Sequence, residues 1–425
     1  PGTVFDKAFI AEKTAGYEQF VTGLKRYKAE ELATAAGISM EQVRQTADVL
    51  KKKNKIIACW AMGLTQHKNA VDTIKEVVNL LLLKGSIGKP GAGTCPVRGH
   101  SNVQGDRTMG INEKPPQKFL DSLERVYGFR PPQHHGYDVV EAIHAMHERK
   151  AKVFIAMGGN FLSATPDTVY TAEALRRTEL TVHVSTKLNR SHLVTGREAM
   201  ILPCCGHTDL DVMNGEAQFI TCENSMGVVQ MSKGSLKPIS DQLLGEPLIV
   251  ARLAKATLGN RSKVNWDLYM QHYDYIRNDI ELTLPGFQDY NKRARILGGF
   301  YLPNGPREGT FTTANAKANF TTSEVTFMKL QSDELMMQTL RSHDQFNTTI
   351  YGLDDRYRGI HGGRRVIFVN RDDLAELGIP KDAKVDITSH FEGEQRTAKA
   401  FQVVPYDIPR RCAAAYFPEA NVLVP

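Results

Sequence analysis

Residues 95–110, CPVRGHSNVQGDRTMG, gather Arg98, His100, Asn102, Gln104, Asp106 and Arg107 around Gly99 and Gly105, directly after a long apolar segment. Guanidinium, imidazole and amide groups at this density offer donors and acceptors to a large polar ligand. Glycines between them let the chain bend closely around it. The same composition also suits a solvated surface loop, so the stretch needs support from elsewhere in the chain. Gly158-Gly159-Asn160 follows the apolar run Val153–Met157, Ser185-Thr186-Lys187 follows Leu180–Val184, and a third run ends at Ile201-Leu202-Pro203. Open parallel sheets place nucleotides at such strand ends, because helix N-termini and free backbone N–H groups converge there. An ordinary βα turn explains any one of them. Three in one unit point to a shared crevice. Imidazole as a side-chain type suits proton transfer, which makes His100 and His207 candidates for it, although hydrogen bonding is the simpler role for each.

The elements that must position these residues follow an α/β grammar. Phe9 to Leu50 reads as helical, and Ser39 with Gln42 three residues on forms a capping box that starts its last helix. Ile56–Trp60 reads as a buried parallel strand that feeds the turn at Met62-Gly63. A helix over 72–84 presents Ile74, Val77, Val78 and Leu81 on one side, and Gly85, Gly88, Pro90, Gly91 and Gly93 then break the chain. A second unit repeats the pattern, with a helix over 137–149 (Val139, Val140, Ile143, Met146), a strand over 153–157, a helix over 171–177 and strands ending at 184 and 203. From Gly298 the texture changes to short strands at 365–369, 384–388 and 397–404 with one small helix over 372–377, which indicates a compact, mostly β domain.

Bulk properties narrow the function classes. A chain of 425 residues predicts two or three compact units. A net charge of +6 is too small and too dispersed to argue for nucleic acid, and the run Lys51, Lys52, Lys53, Lys55 reads as a solvated lead-in to a strand. The strongest apolar run, Val77–Leu83, is interrupted by Asn79 and ends at Lys84, far short of a membrane span. No signal peptide is expected at Pro1, where processing or fragmentation would account for the missing Met. Cys59, Cys95, Cys204, Cys205, Cys222 and Cys412 show no CxxC spacing and no zinc or iron–sulfur set, so reduced thiols and a cytoplasmic location are expected.

Taken in order, Trp60-Ala61-Met62-Gly63, TIKEVVNLLLLKG, PVRGHSNVQGDRTMG, IAMGGNFLSATPD, STKLNRSHL, RSHDQFNTTIYG and the terminal YFPEAN carry a specific resemblance. The chain resembles the C-terminal half to two-thirds of a molybdopterin oxidoreductase of the DMSO reductase superfamily, in the subgroup of formate dehydrogenase alpha subunits. The resemblance implies Rossmann-like parallel α/β sheets followed by a double-psi β-barrel. It divides the chain into 1–130, the rear of the second domain; 131–304, a third domain that binds guanine dinucleotide; and 305–425, the domain that closes over the cofactor. The implied cofactor is bis-molybdopterin guanine dinucleotide carrying Mo or W, which performs two-electron redox on a small substrate, formate being the nearest named one.

Site residues follow from the same match. Arg98, His100, Ser101, Asn102 and Gln104 would lie near the pterin and metal, while Gly159 and Asn160, then Thr186, Lys187 and Asn189, would border the guanine nucleotide. Ser342, His343, Gln345, Phe346, Asn347, Thr348 and Thr349 match the first loop of the closing domain, and Glu419 and Asn421 its terminal return. For His343 and Asn421 a purely structural role is the competing reading. No residue here matches a metal ligand or the catalytic pair, and a 4Fe-4S cluster is expected only in an upstream region or partner chain. Expected partners are therefore the N-terminal portion of the same enzyme, or a chain supplying it, and an electron-transfer subunit. A non-catalytic cofactor-binding or electron-transfer subunit remains the alternative, and a scaffold that has lost its cofactor a weaker one, since it would leave many polar groups without partners.

Overall fold

The computed structural model describes residues 4–327, 329–348 and 351–424. They form two compact units, each assembled from three stretches of chain: Pro1–Gln133, Phe219–Ser232 and His272–Met328 in one, and His134–Gln218, Lys233–Gln271 and Lys329–Pro425 in the other.

In the first unit the expected long helical segment is four short helices, Lys7–Lys13, Tyr17–Leu24, Ala29–Ala35 and α1 (Met40–Lys51). Gly16 and Gly37, at φ +81° and +67°, turn the chain between them where a residue with a Cβ would be strained. The capping box forms as read: Gln42 N donates to Ser39 Oγ at 3.2 Å and Ser39 N donates to Gln42 Oε1 at 2.8 Å. Strand β1 (Ile57–Trp60) lies parallel to β2 (Gly93–Pro96), joined by the crossover helix α2 (Ala70–Leu83). Leu82 of α2 packs with Phe20, Ala318 and Phe320. Asn79, the one polar break in that apolar run, is buried yet satisfied: its Nδ2 donates to Thr321 O at 2.9 Å and its Oδ1 accepts from Thr321 N at 3.2 Å.

The stretch 95–110, read as a loop, is instead the end of β2, a turn at 99–102, and a short helix, α3 (Val103–Thr108). Gly105 is small for a packing reason, since a Cβ there would meet Asn102 Oδ1 at 2.5 Å and Glu223 Cβ at 3.3 Å. Glu223 belongs to a hairpin (Ile220–Glu223 with Val228–Ser232) that is extended by Phe300–Tyr301 and backed by Phe219, Phe287 and Tyr290.

The second unit holds two sheets. In the first, β3 (Val153–Met157), β4 (Leu180–Ser185) and β5 (Glu198–Pro203) are all parallel, with Ile155, Val182 and Met200 in register across them. Helices α4 (Val139–His147) and α5 (Thr168–Arg176) share a core of Ile143, Met146, Leu162 and Leu175, against which Phe154 of β3 packs. Helix α6 (Glu246–Leu258) packs Ile249 and Leu253 against Val184 and Leu202. The first of these helices starts one residue past Asp138, whose carboxylate accepts from Glu141 N at 2.9 Å in a second capping box.

The expected closing β domain is a five-stranded mixed sheet in the order β6 (Met336–Leu340), β10 (Cys412–Tyr416), β7 (Val366–Val369), β9 (Glu394–Pro405), β8 (Lys384–Phe391). The pairs β6/β10 and β7/β9 are parallel, and β7/β10 and β8/β9 antiparallel. Both faces of its central strands are covered, as the period of two requires: Ile367, Val369, Ala413 and Ala415 enter one core, Val366, Phe368, Ala414 and Tyr416 the other. Phe401 is fully buried in the first core. Phe401→Ala is expected to lower the unfolding free energy by about 3–5 kcal/mol, read as a shifted denaturant midpoint.

Candidate functional site

In the first unit Arg98, Gly99 and His100 stand exposed on the turn after β2, and Gln104 is half-buried. Ser101 Oγ reaches Arg98 O at 3.4 Å, which shapes the turn. Asn102 Oδ1 accepts from Glu223 N at 2.9 Å, so this amide anchors the turn to the hairpin. Below it Glu223 is buried, and its Oε2 has no partner among the described residues. An orphaned buried carboxylate oxygen is costly unless something donates to it. Arg107, singled out by its charge, pairs with Glu113 at 2.9 Å.

In the second unit the strand ends come together as the sequence suggested. Gly158 and Gly159 take φ of +67° and +72°, and open space lies where a Cβ of Gly159 would stand. The backbone N–H groups of Gly159 and Asn160 make no hydrogen bond among the described residues. Asn160 is itself buried: its Nδ2 donates to Thr348 O at 3.0 Å and its Oδ1 accepts from Ser191 Oγ at 3.1 Å. Asn189 Nδ2 donates to Gly159 O at 2.7 Å, and Asn189 Oδ1 accepts from Ser191 N at 3.0 Å. Thr186 and Lys187 are exposed beside this knot. Asn160 and Asn189 therefore hold the shape of the rim, while backbone donors and the Lys187 ammonium remain to meet an anion.

Behind the rim lie His183 and His192, both buried, with ring centroids 4.8 Å apart. His192 Nε2 lies 3.2 Å from Ser185 Oγ, and His183 Nε2 has no partner among the described residues.

The loop after β6 is organised by Arg364. Its guanidinium is buried and donates to Ser342 Oγ, to Gln345 Oε1 at 2.8 Å, to Glu419 Oε1 at 3.0 Å and to Phe417 O at 3.0 Å. It lies over the rings of Tyr351 and Tyr416, 4.5 and 4.7 Å from their centroids. Gln345 Nε2 donates to Asn347 O at 2.6 Å, and Asn347 takes φ +49° to complete the turn. Ser342, Gln345, Asn347 and Glu419 are thus gathered, with their side chains engaged inside the protein. Thr348 meets Asn160, which joins this loop to the Gly159 rim. His343 and Phe346 are exposed; His343 stacks on Tyr357 at 3.9 Å and contacts Asp344 Oδ1 at 3.0 Å. Asn421 stands apart, buried against Thr165 O and Thr168 Oγ1, and it secures the terminal segment beneath α5. Thr349 lies outside the described residues.

Reading the sequence missed Arg364, Ser191 and Glu223. Arg364 sits in a plain RR pair before a strand, and no local pattern marks which arginine turns inward. Ser191 lies in the quoted STKLNRSHL motif, but its role needs the fold to bring Asn160 beside it. His207 is exposed. Among the described residues no group of three or more His, Cys, Asp or Glu gathers in a metal-binding cluster, and no helix is long and apolar enough to cross a membrane. A groove lined by Glu30, Glu31, Thr34, Ala35 and Phe327 is acidic and unsuited to a polyanion.

Residues 20–192 match the family model "Molybdopterin oxidoreductase", and residues 335–424 match "Molydopterin dinucleotide binding domain". An uncharacterized oxidoreductase of Mycobacterium tuberculosis is 49% identical over 431 residues, covering 100% of this chain and 55% of that protein. Protein YdeP of Escherichia coli K12 is 41% identical over 425 residues, 99% of this chain and 56% of its own length. Formate dehydrogenase H of the same organism is 29% identical over 188 residues, 42% of this chain and 26% of that enzyme. The chain spans about half the length of the curated relatives it matches throughout. Acetylene hydratase from Pelobacter acetylenicus shares the fold, with TM-score 0.61 at 14% identity over 99% of this chain and 63% of that one.

Two predictions follow from this geometry. Replacing Arg364 by Met leaves Glu419, Gln345 and Ser342 without their common donor; unfolding free energy is expected to fall by about 3–5 kcal/mol in a denaturant titration. Arg364→Lys is expected to recover only part of it, because an ammonium cannot reproduce the guanidinium fork. Burial, then the neighbouring His192, holds the His183 imidazole below its ordinary value. The unfolded chain takes up a proton near pH 6.5 and the folded chain only at lower pH, so stability falls as pH drops below about 6.5, by at most about 1.4 kcal/mol per unit. His183→Gln is expected to flatten that slope in unfolding measured from pH 7 downward.

Proposed function

The chain belongs to the DMSO reductase superfamily of molybdopterin oxidoreductases, and on that premise we propose that it is the cofactor-holding C-terminal portion of a formate dehydrogenase-like enzyme that performs two-electron redox on a small substrate. Its cofactor is a molybdenum or tungsten bis-molybdopterin guanine dinucleotide, for which residues 335–424 supply a binding domain. The observation that carries the reading is the Gly158–Asn160 strand end, with left-handed glycines, open space at Gly159 and unpaired backbone N–H groups, the form a nucleotide phosphate requires.

The metal centre, when bound, supplies the redox chemistry. This chain's residues bind and orient. Gly159 and Asn160 would offer backbone donors to the guanine dinucleotide, with Thr186 and Lys187 at its edge. Arg98 and His100, exposed on their turn, would offer cationic or neutral donors to pterin or phosphate oxygens. The 342–348 loop would present a face whose curvature Arg364 sets. The unpaired Glu223 Oε2 suits a ring N–H of the pterin system.

The division in which residues 305–425 close over the cofactor is supported by the 335–424 match. A 4Fe-4S cluster, the metal ligand and an electron-transfer partner are proposed for the portion of the longer relatives outside this span or for a separate chain. A cytoplasmic location is proposed with it, on the cysteine spacing, which carries no CxxC pattern.

Purified from its natural source with every co-purifying chain, the protein is expected to contain about one Mo or W and two guanine-bearing pterins per polypeptide. Replacing Gly159 by Val puts a β-branched side chain into the open space at φ +72°, which strains and shifts this strand end, and bound guanine nucleotide is expected to fall at least tenfold while the overall helix and strand content is retained by circular dichroism. Wild-type protein with neither metal nor pterin would overturn the reading.

A further inference from the structure

Cys59 and Cys95 lie 36 residues apart in sequence, yet they are register partners on the parallel strands β1 and β2. Register partners in a parallel pair point their side chains to the same face. Neighbouring strands run about 4.8 Å apart, inside the span of about 4.4–6.8 Å between Cα atoms that a disulfide bridges. The shared register and face therefore set the two thiols side by side. Cys59 is exposed and Cys95 partly so.

We propose that Cys59 and Cys95 form a reversible disulfide, a modification site that staples the two strand ends entering the Met62–Thr65 turn and the 98–107 segment. The oxidant class is a low-molecular-weight disulfide such as oxidised glutathione. The exposed Cys59, as thiolate, attacks one of its sulfurs, forms a mixed disulfide and expels one glutathione thiolate. Cys95 then loses its proton and attacks the Cys59 sulfur, which closes the protein disulfide and expels the second glutathione. Two protein thiols are oxidised, one external disulfide is reduced to two thiols, and the two thiol protons end on the products.

The order of attack follows from the surroundings. Burial, then the hydrogen bond with Cys59, pushes the Cys95 thiol up, which suits a resolving group rather than an initiating one. The other four cysteines are poorer sites: burial pushes Cys204 up to about 11 and also raises Cys205, Cys222 and Cys412. The exposure of Cys59 leaves the bond open to attack by an external thiol, so it can be reduced as well as formed. The proposal is independent of the cofactor assignment.

The full-length polypeptide is equilibrated in glutathione buffers of rising oxidised fraction, quenched by alkylation and mapped by mass spectrometry. The expected result is a peptide joining Cys59 to Cys95, in at least tenfold excess over any other linkage and fully lost on adding dithiothreitol. Cys95→Ser is expected to trap glutathione on Cys59, raising that adduct at least tenfold over wild type, whereas Cys59→Ser leaves Cys95 unmodified. Recovery of both residues as free thiols at full oxidation, a dominant Cys204–Cys205 linkage, or equal Cys59 adduct with and without Cys95 would overturn the proposal.

Discussion

The C-terminal β-sheet domain depends on one buried cation. A guanidinium removed from water is strongly unfavourable unless its donors are met and its charge is balanced. Arg364 meets both conditions by drawing Ser342, Gln345, Phe417 and Glu419 around it. These residues come from two stretches far apart in sequence, the loop after β6 and the segment after β10. Satisfying this one side chain fixes where both stretches run. The parallel pairing of β6 with β10 brings them alongside each other, and the aromatic rings of Tyr351 and Tyr416 cover the charge. Hydrogen bonding and sheet topology here enforce the same geometry, so the loop is preorganised before any ligand arrives.

A comparable division of labour holds at the parallel sheet. Asn160 and Asn189 use their amides to tie the rim of β3 to Ser191 and Thr348. This leaves the main-chain donors of Gly159 and Asn160 without a protein partner, and at Gly159 a positive φ and the absent side chain leave open space beside them. Rigid amides behind and backbone N–H groups in front suit a nucleotide, whose phosphates need fixed donors more than a specific side chain.

Much of the local structure was legible in the sequence. Ser39 and Gln42 announced a helix start that the structure reproduces atom by atom, and Val153–Met157 with its glycine end announced both strand and rim. Other features were hidden for physical reasons. Asp138 and Glu141 form an equally plain capping box, three residues apart like Ser39 and Gln42, just before the apolar positions of α4. The stretch 98–107 looked like a loop because its residues are polar and glycine-rich, but Gly105 is there to let Asn102 and Glu223 approach, and a short helix follows. Strands β6 and β10 carry no alternation, since one contains two methionines and the other is an alanine run buried on both faces. Arg364 could not be found at all from the sequence, because inward and outward arginines differ only in what long-range pairing places around them.

The distinction between binding residues and shaping residues follows from the same cause. Polar motifs signal that hydrogen bonds will be made, not with whom. Ser342, Gln345, Glu419, Asn160 and Asn421 all lie in the polar motifs, and all direct side-chain atoms to protein partners. The exposed set of Arg98, His100, Thr186, Lys187, His343 and Phe346 is richer in positive or potentially positive groups. A large polyanion needs both kinds. Buried amides hold surfaces still with little screening, and exposed cations act at their edges, where solvated long side chains can still adjust. Substitutions among the inward-facing residues should therefore first alter local shape, and those among the exposed residues the local charge.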